Sequence, residues 1–106
     1  MIEITGTEKQ VAWANDIRAK FIANAAKKAA YWQDEIDWCI EDEDTEGAEW
    51  AKGKLEQHTR LTTEILNEVS RAGWWIEYGQ GSADYVIREF DAVKRGANFG
   101  GVNKIN

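Results

Sequence analysis

Apolar residues in the first half of the chain fall at helical spacing. Trp13, Ile17, Phe21, Ala25, Ala29, Trp32, Ile36 and Ile40 recur at steps of three or four, which puts them on one stripe of a helix whose period is about 3.6 residues. Neither Gly nor Pro interrupts residues 7–46. Thr7-Glu8-Lys9-Gln10 has the form of a capping box, in which the Thr7 hydroxyl accepts from the Gln10 amide and the Gln10 side chain reaches back. The pattern predicts a first helix over about 8–42. Its Ala-rich middle (Ala23, Ala25, Ala26, Ala29, Ala30) has high helix propensity and lets a neighbouring helix approach closely.

The next segment, from Glu41 to Gly47, closes that helix, because crowded carboxylates oppose the negative end of the helix dipole and Gly47 loosens the backbone. A second helix is predicted over about 48–69, with Ala51, Leu55, Thr62, Leu66 and Val69 on one face and Leu61 and Ile65 beside it. Gly53 weakens it by about 1 kcal/mol relative to Ala. Two long helices joined by a short turn pack antiparallel, which sets the turn at one tip of a helical hairpin. Beyond it two arrangements stay open: Ser70 caps a short helix over about 71–78, or Gly73 ends the second helix and leaves a linker. Ser82 caps a last helix over about 83–95, using Val86, Ile87, Phe90 and Val93, and the tail over about 97–106 is expected to fray. The expectation is one all-α domain, an antiparallel helical hairpin plus one or two shorter helices.

Composition supports this reading. A chain of 106 residues that is 43% hydrophobic carries enough apolar surface for one modest core. It has no Pro, the chief helix breaker. Cys39 is the single cysteine, so no intramolecular disulfide forms, and a cytoplasmic setting is expected. No apolar run approaches the length of a signal peptide or a membrane span, so no membrane partner is expected.

Charge adds the most. The net charge is -6, but its distribution is uneven. Asp34, Glu35, Asp37, Glu41, Asp42, Glu43, Asp44, Glu46 and Glu49 lie in a window, residues 33–51, that holds no Lys or Arg. Outside it, 10 acidic residues face 13 basic ones. Such a balance disfavours direct nucleic-acid binding, which depends on clustered cations.

Catalytic and metal chemistry find little footing. Cys39 and His58 are the only residues of their kinds, too few for a structural zinc site, which takes four ligands. Asp42, Asp44, Glu46 and Gly47 imitate the start of a calcium loop, but the closing position is Gly53 where a bidentate Glu is required. A helical di-metal centre needs Glu-x-x-His pairs, and Leu55 precedes His58 at that spacing. His58 reads as a hydrogen-bonded residue at the edge of the core, for want of a nucleophile partner. No catalytic residue, metal or cofactor is expected. The alternative is a carboxylate-dependent magnesium hydrolase of nucleotides, using Glu41-x-x-Asp44 and Glu46-x-x-Glu49.

The acidic stretch fits a protein-binding surface aimed at a basic partner. Its carboxylates would steer association, while Trp38 and Trp50, which flank the run, would anchor it. The candidate residues are Asp37, Trp38, Glu41, Asp42, Glu43, Asp44, Glu46, Glu49 and Trp50. Trp74, Trp75 and Tyr78 form a second candidate patch, with one indole in the core and the other exposed beside Tyr78.

The segment Thr5-Gly6-Thr7-Glu8-Lys9-Gln10-Val11-Ala12-Trp13-Ala14-Asn15-Asp16-Ile17-Arg18 resembles the opening of a group of small helical proteins and domains of bacteria, phages and other mobile elements. Those read Thr-Gly-Ser-Glu-Lys-Gln, then Trp-Ala, then Ile-Arg, with a later segment similar to Trp74-Trp75-Ile76-Glu77. Here Tyr78-Gly79 stands where the group has Asn-Arg. The resemblance implies an all-helical fold and a mobile-element setting, and no activity. With it, the sharpest expectation is a phage-encoded inhibitor of a host nucleic-acid-handling defence complex, anti-CRISPR-like, acting in the host cytoplasm. A structural module that self-associates as a homodimer is the third alternative.

Overall fold

The computed structural model describes residues 1–96 and 104–106. Four helices follow in chain order: α1 (Glu8–Glu41), α2 (Thr45–Glu68), α3 (Ala72–Tyr78) and α4 (Ala83–Lys94). The architecture is all-α, with α1 and α2 forming the antiparallel hairpin and no strand among the described residues. At a rise of about 1.5 Å per residue, α1 is about 51 Å long. It sets the long dimension of a body measuring 52 × 27 × 19 Å.

Local chemistry accounts for the helix ends. The capping box at α1 is formed in both directions, Gln10 N–H donating to Thr7 Oγ1 and Thr7 N–H to Gln10 Oε1, each at 3.2 Å. Asp44 caps α2 by accepting from the Gly47 amide at 2.9 Å. The second helix therefore begins three residues before the expected start, and Gly47 lies inside its first turn. A Cβ at Gly47 would collide with the Asp44 carboxylate and stand 3.0 Å from Cys39 Sγ, so close approach of the cap, not looseness, calls for glycine here. Glu43, in the turn, has φ 57, a left-handed conformation that costs a non-glycine residue about 1–2 kcal/mol.

A short helix does form here, over Ala72–Tyr78, but Arg71, not Ser70, precedes it as cap residue, and without a side-chain cap bond. Ser70 instead belongs to a seam. Its carbonyl accepts from Thr5 N–H at 2.7 Å, and the Ile105 carbonyl accepts from Ser70 and Arg71 N–H at 2.9 and 3.0 Å. The expected frayed tail is thus tied down at Ile105, which packs on the core; residues 97–103 of that expectation lie outside the described residues. Ser82 caps α4 as expected, accepting from Tyr85 N–H at 3.2 Å.

The main core joins Ile17, Phe21 and Ala25 of α1 to Leu61, Ile65 and Val69, Trp74 and Trp75, and Val86 and Phe90. Two expected core positions are corrected. Trp13 is 52% exposed and Ile40 is also exposed, because each step of four overshoots a full helical turn by about 40°. A stripe built mostly of such steps winds off the buried side at both ends. Ala14 and Arg18 occupy the inward positions near the start, and Cys39 near the end. On α2 the buried line runs through Ala48, Ala51, His58, Leu61 and Ile65, so Leu61 and Ile65 are central, while Leu55, Thr62 and Leu66 are half-buried.

Candidate functional site

The hairpin extends past the other helices. Lys28 of α1 bonds Asp84 at the start of α4 at 3.3 Å, and Lys94 at its end bonds Glu68 of α2 at 2.6 Å. α4 thus covers the hairpin from its middle towards its open end. Beyond that level the buried residues are Ile36, Cys39, Ala48 and Ala51, which do not belong to the main core cluster. Among the described residues, the turn end is a two-helix projection with a thin interior of its own.

This end carries the acidic stretch. Asp37, Glu41, Asp42, Glu43, Asp44, Glu46 and Glu49 are all exposed. Glu49 pairs with Lys52 at 3.5 Å; none of the other eight acidic residues at 34–49 forms an ion pair among the described residues. Two have local duties, Asp44 as the α2 cap and Asp37 as acceptor from Gln33 Nε2 at 3.1 Å. Asp44 and Glu46 also sit favourably at the positive end of the α2 dipole. Glu41 and Asp42 do the reverse, ending α1 with no basic residue in its last turn.

Large rings stand beside these carboxylates. Trp38 is 62% and Trp50 60% exposed. Trp50 meets Trp32 edge-on at 5.4 Å, and Trp32 meets Tyr31 at 5.1 Å, giving a ladder across both helices. Lys28 lies over Tyr31 and Trp32 at 4.7 and 5.2 Å, and Lys54 over Trp50 at 5.6 Å. Tyr31, Trp32, Lys28 and Lys54 were absent from the sequence-based candidates. The available signal was the hairpin itself, which folds α2 back along α1 and so brings aromatic residues on either side of the turn, Trp32 and Trp50, together.

The second candidate patch is corrected. Trp74 and Trp75 are 1% and 0% exposed and meet edge-on at 5.6 Å, so neither indole is available to a partner. Adjacent helical side chains do diverge by about 100°, but α3 is enclosed from several directions. Phe21 of α1 lies 5.6 Å from Trp75, Trp75 Nε1 donates to the Val69 carbonyl at 3.1 Å, and residues 70–72 are strapped by Thr5 and Ile105. Tyr78 is half-buried against Trp74 at 5.7 Å.

Catalytic candidates gain little. Cys39 is buried, and desolvation, followed by the nearby charges of Asp44, Glu35 and Asp42, pushes its thiol pKa up, the opposite of what a nucleophile needs. His58 is buried rather than at the core edge, with Nε2 at 2.9 Å from the Ala25 carbonyl; a carbonyl only accepts, so Nε2 carries the proton. Among the described residues no group of three or more His, Cys, Asp or Glu is placed to hold a metal ion. Among the described residues no helix is long and apolar enough to cross a membrane.

No protein-family model matches this chain, and neither a curated protein nor a solved structure matches it.

Proposed function

We propose that this chain is a protein-binding module whose projecting hairpin end presents carboxylates and indoles to a partner with a basic surface. One observation carries the reading: eight acidic residues at the acidic end form no ion pair among the described residues, beside the exposed Trp38 and Trp50. Unpaired charge steers a complementary partner, and large rings supply the desolvated contact that holds it. Glu43 and the acidic end of α1 add weight, since backbone strain and adverse helix-end charge concentrate where a fold gives up stability for function.

The sharper form of the proposal combines this surface with the resemblance to mobile-element proteins. A rod of negative charge can occupy a basic groove meant for phosphates, so the partner would be a host nucleic-acid-handling defence complex, and the protein an anti-CRISPR-like inhibitor working in the host cytoplasm.

The test is affinity capture from host extract with the wild-type chain, Glu41→Lys/Asp42→Lys and Trp38→Ala/Trp50→Ala. Asp44 is left unaltered because it caps α2. A basic partner retained by the wild type, released by salt and lost with both variants supports the proposal. Equal capture by all three proteins refutes the surface. Light scattering on the full chain separates a heterologous binder from a self-associating module, which would show a dimer disrupted by the indole variant.

A further inference from the structure

A groove between α1, α2 and α4 gathers charge opposite to that of the hairpin end. Lys28, Lys54 and Arg88, one from each helix, line a space of about 330 Å³ together with Trp32. Asp84 and Asp91 share the lining, but both already hold cations: Asp84 bonds Lys28 at 3.3 Å and Asp91 bonds Arg95 at 3.2 Å. Lys54 and Arg88 form no ion pair among the described residues; each lies over a ring, Trp50 at 5.6 Å and Tyr85 at 5.5 Å. His58, 7% exposed, also lines the groove. Its Nε2 is committed to the Ala25 carbonyl, and Nδ1 has no hydrogen-bond partner among the described residues.

We infer that this groove binds a small aromatic anion of the nucleotide class, with the phosphate between Lys54 and Arg88 and the ring against Trp32. A guanidinium fork and an ammonium together match the oxygens of a phosphate. An indole held by its neighbours Tyr31 and Trp50 offers a stacking or edge contact to a heteroaromatic ring. The volume lies at the low end of small-ligand sites, roughly 300–1,000 Å³, which suits a mononucleotide. Electrostatics select a small ligand over a nucleic acid, because a polyanion leaving this groove along the hairpin would meet the unpaired carboxylates of the turn. The groove adjoins the acidic surface at Trp50, which packs on Trp32, but the inference does not rest on the partner-binding reading.

Titration calorimetry on the full chain tests the assignment with AMP, adenosine and inorganic phosphate as probes. Saturable one-site binding of AMP is expected, with adenosine and phosphate each weaker by about tenfold or more. The double variant Lys54→Glu/Arg88→Glu, at two exposed positions, is expected to keep its helical circular dichroism and weaken AMP by about tenfold or more. No saturation by AMP at millimolar concentration overturns the proposal, as does unchanged AMP affinity in the double variant. Phosphate binding as tightly as AMP overturns the aromatic half and marks the groove as an adventitious anion site only.

Discussion

Replacing Glu41 and Asp42 together by lysine reverses the charge at a helix end that opposes its own dipole. α1 finishes at Glu41 with Asp42 as its cap residue and no basic side chain in the last turn. An exposed charge at a helix terminus is worth about 0.3–1 kcal/mol. Both positions change from unfavourable to favourable sign, so a gain of about 1 kcal/mol or somewhat more is expected. Relief of the like-charge pair Asp37 and Glu41, four residues apart on α1, acts in the same direction, by a few tenths of a kcal/mol. The favourable acids of α2, Asp44 and Glu46, are untouched. For a chain of this size the gain corresponds to a rise in Tm of about 4–8 °C. Thermal unfolding followed by circular dichroism in low salt reads it directly. At about 1 M NaCl the screening length falls to about 3 Å, and the difference between variant and wild type should shrink. An unchanged or lower Tm in low salt, or a gain that persists at high salt, refutes the argument. Since the same variant is expected to lose its partner, the acidic end is a place where binding and stability pull apart.

Other positions test the packing. Gly53→Ala should stabilise the chain by about 1 kcal/mol in urea titrations, because a Cβ there meets nothing within 4 Å; destabilisation would mean that the α2 surface is in use. Trp75→Phe should cost about 2–4 kcal/mol and exceed Trp74→Phe by about 1 kcal/mol. Only Trp75 Nε1 has an acceptor, the Val69 carbonyl, whereas Trp74 Nε1 is buried with none among the described residues. Equal losses would show that the Trp75 bond adds nothing. Cys39 should react with iodoacetamide at pH 8 about tenfold or more slowly than free cysteine, since burial and nearby carboxylates raise its pKa; reaction at the free rate would mean that the projecting end opens readily.

Much of this molecule is local. The Thr7–Gln10 capping box, the long run without Gly or Pro, the turn near Glu43 and the Ser82 cap depend on residues within a few positions of one another, and the sequence alone determined them together with the all-α class. The acidic stretch was equally visible, because charges crowded along a chain stay together in any helical hairpin. Burial was legible only approximately. Steps of four drift around a helix, so Trp13 and Ile40 read as core until the neighbours of α1 defined which side is covered. Tertiary structure alone decided that Trp74 and Trp75 are both enclosed, through the straps from Thr5 and Ile105, which come from opposite ends of the chain. It also decided that Lys28, Lys54 and Arg88 meet around Trp32, and that α4 stops short of the turn, where most of the carboxylates form no ion pair among the described residues. Sequence carries periodicity and local hydrogen bonding, whereas exposure and convergence depend on what packs against a surface from far along the chain.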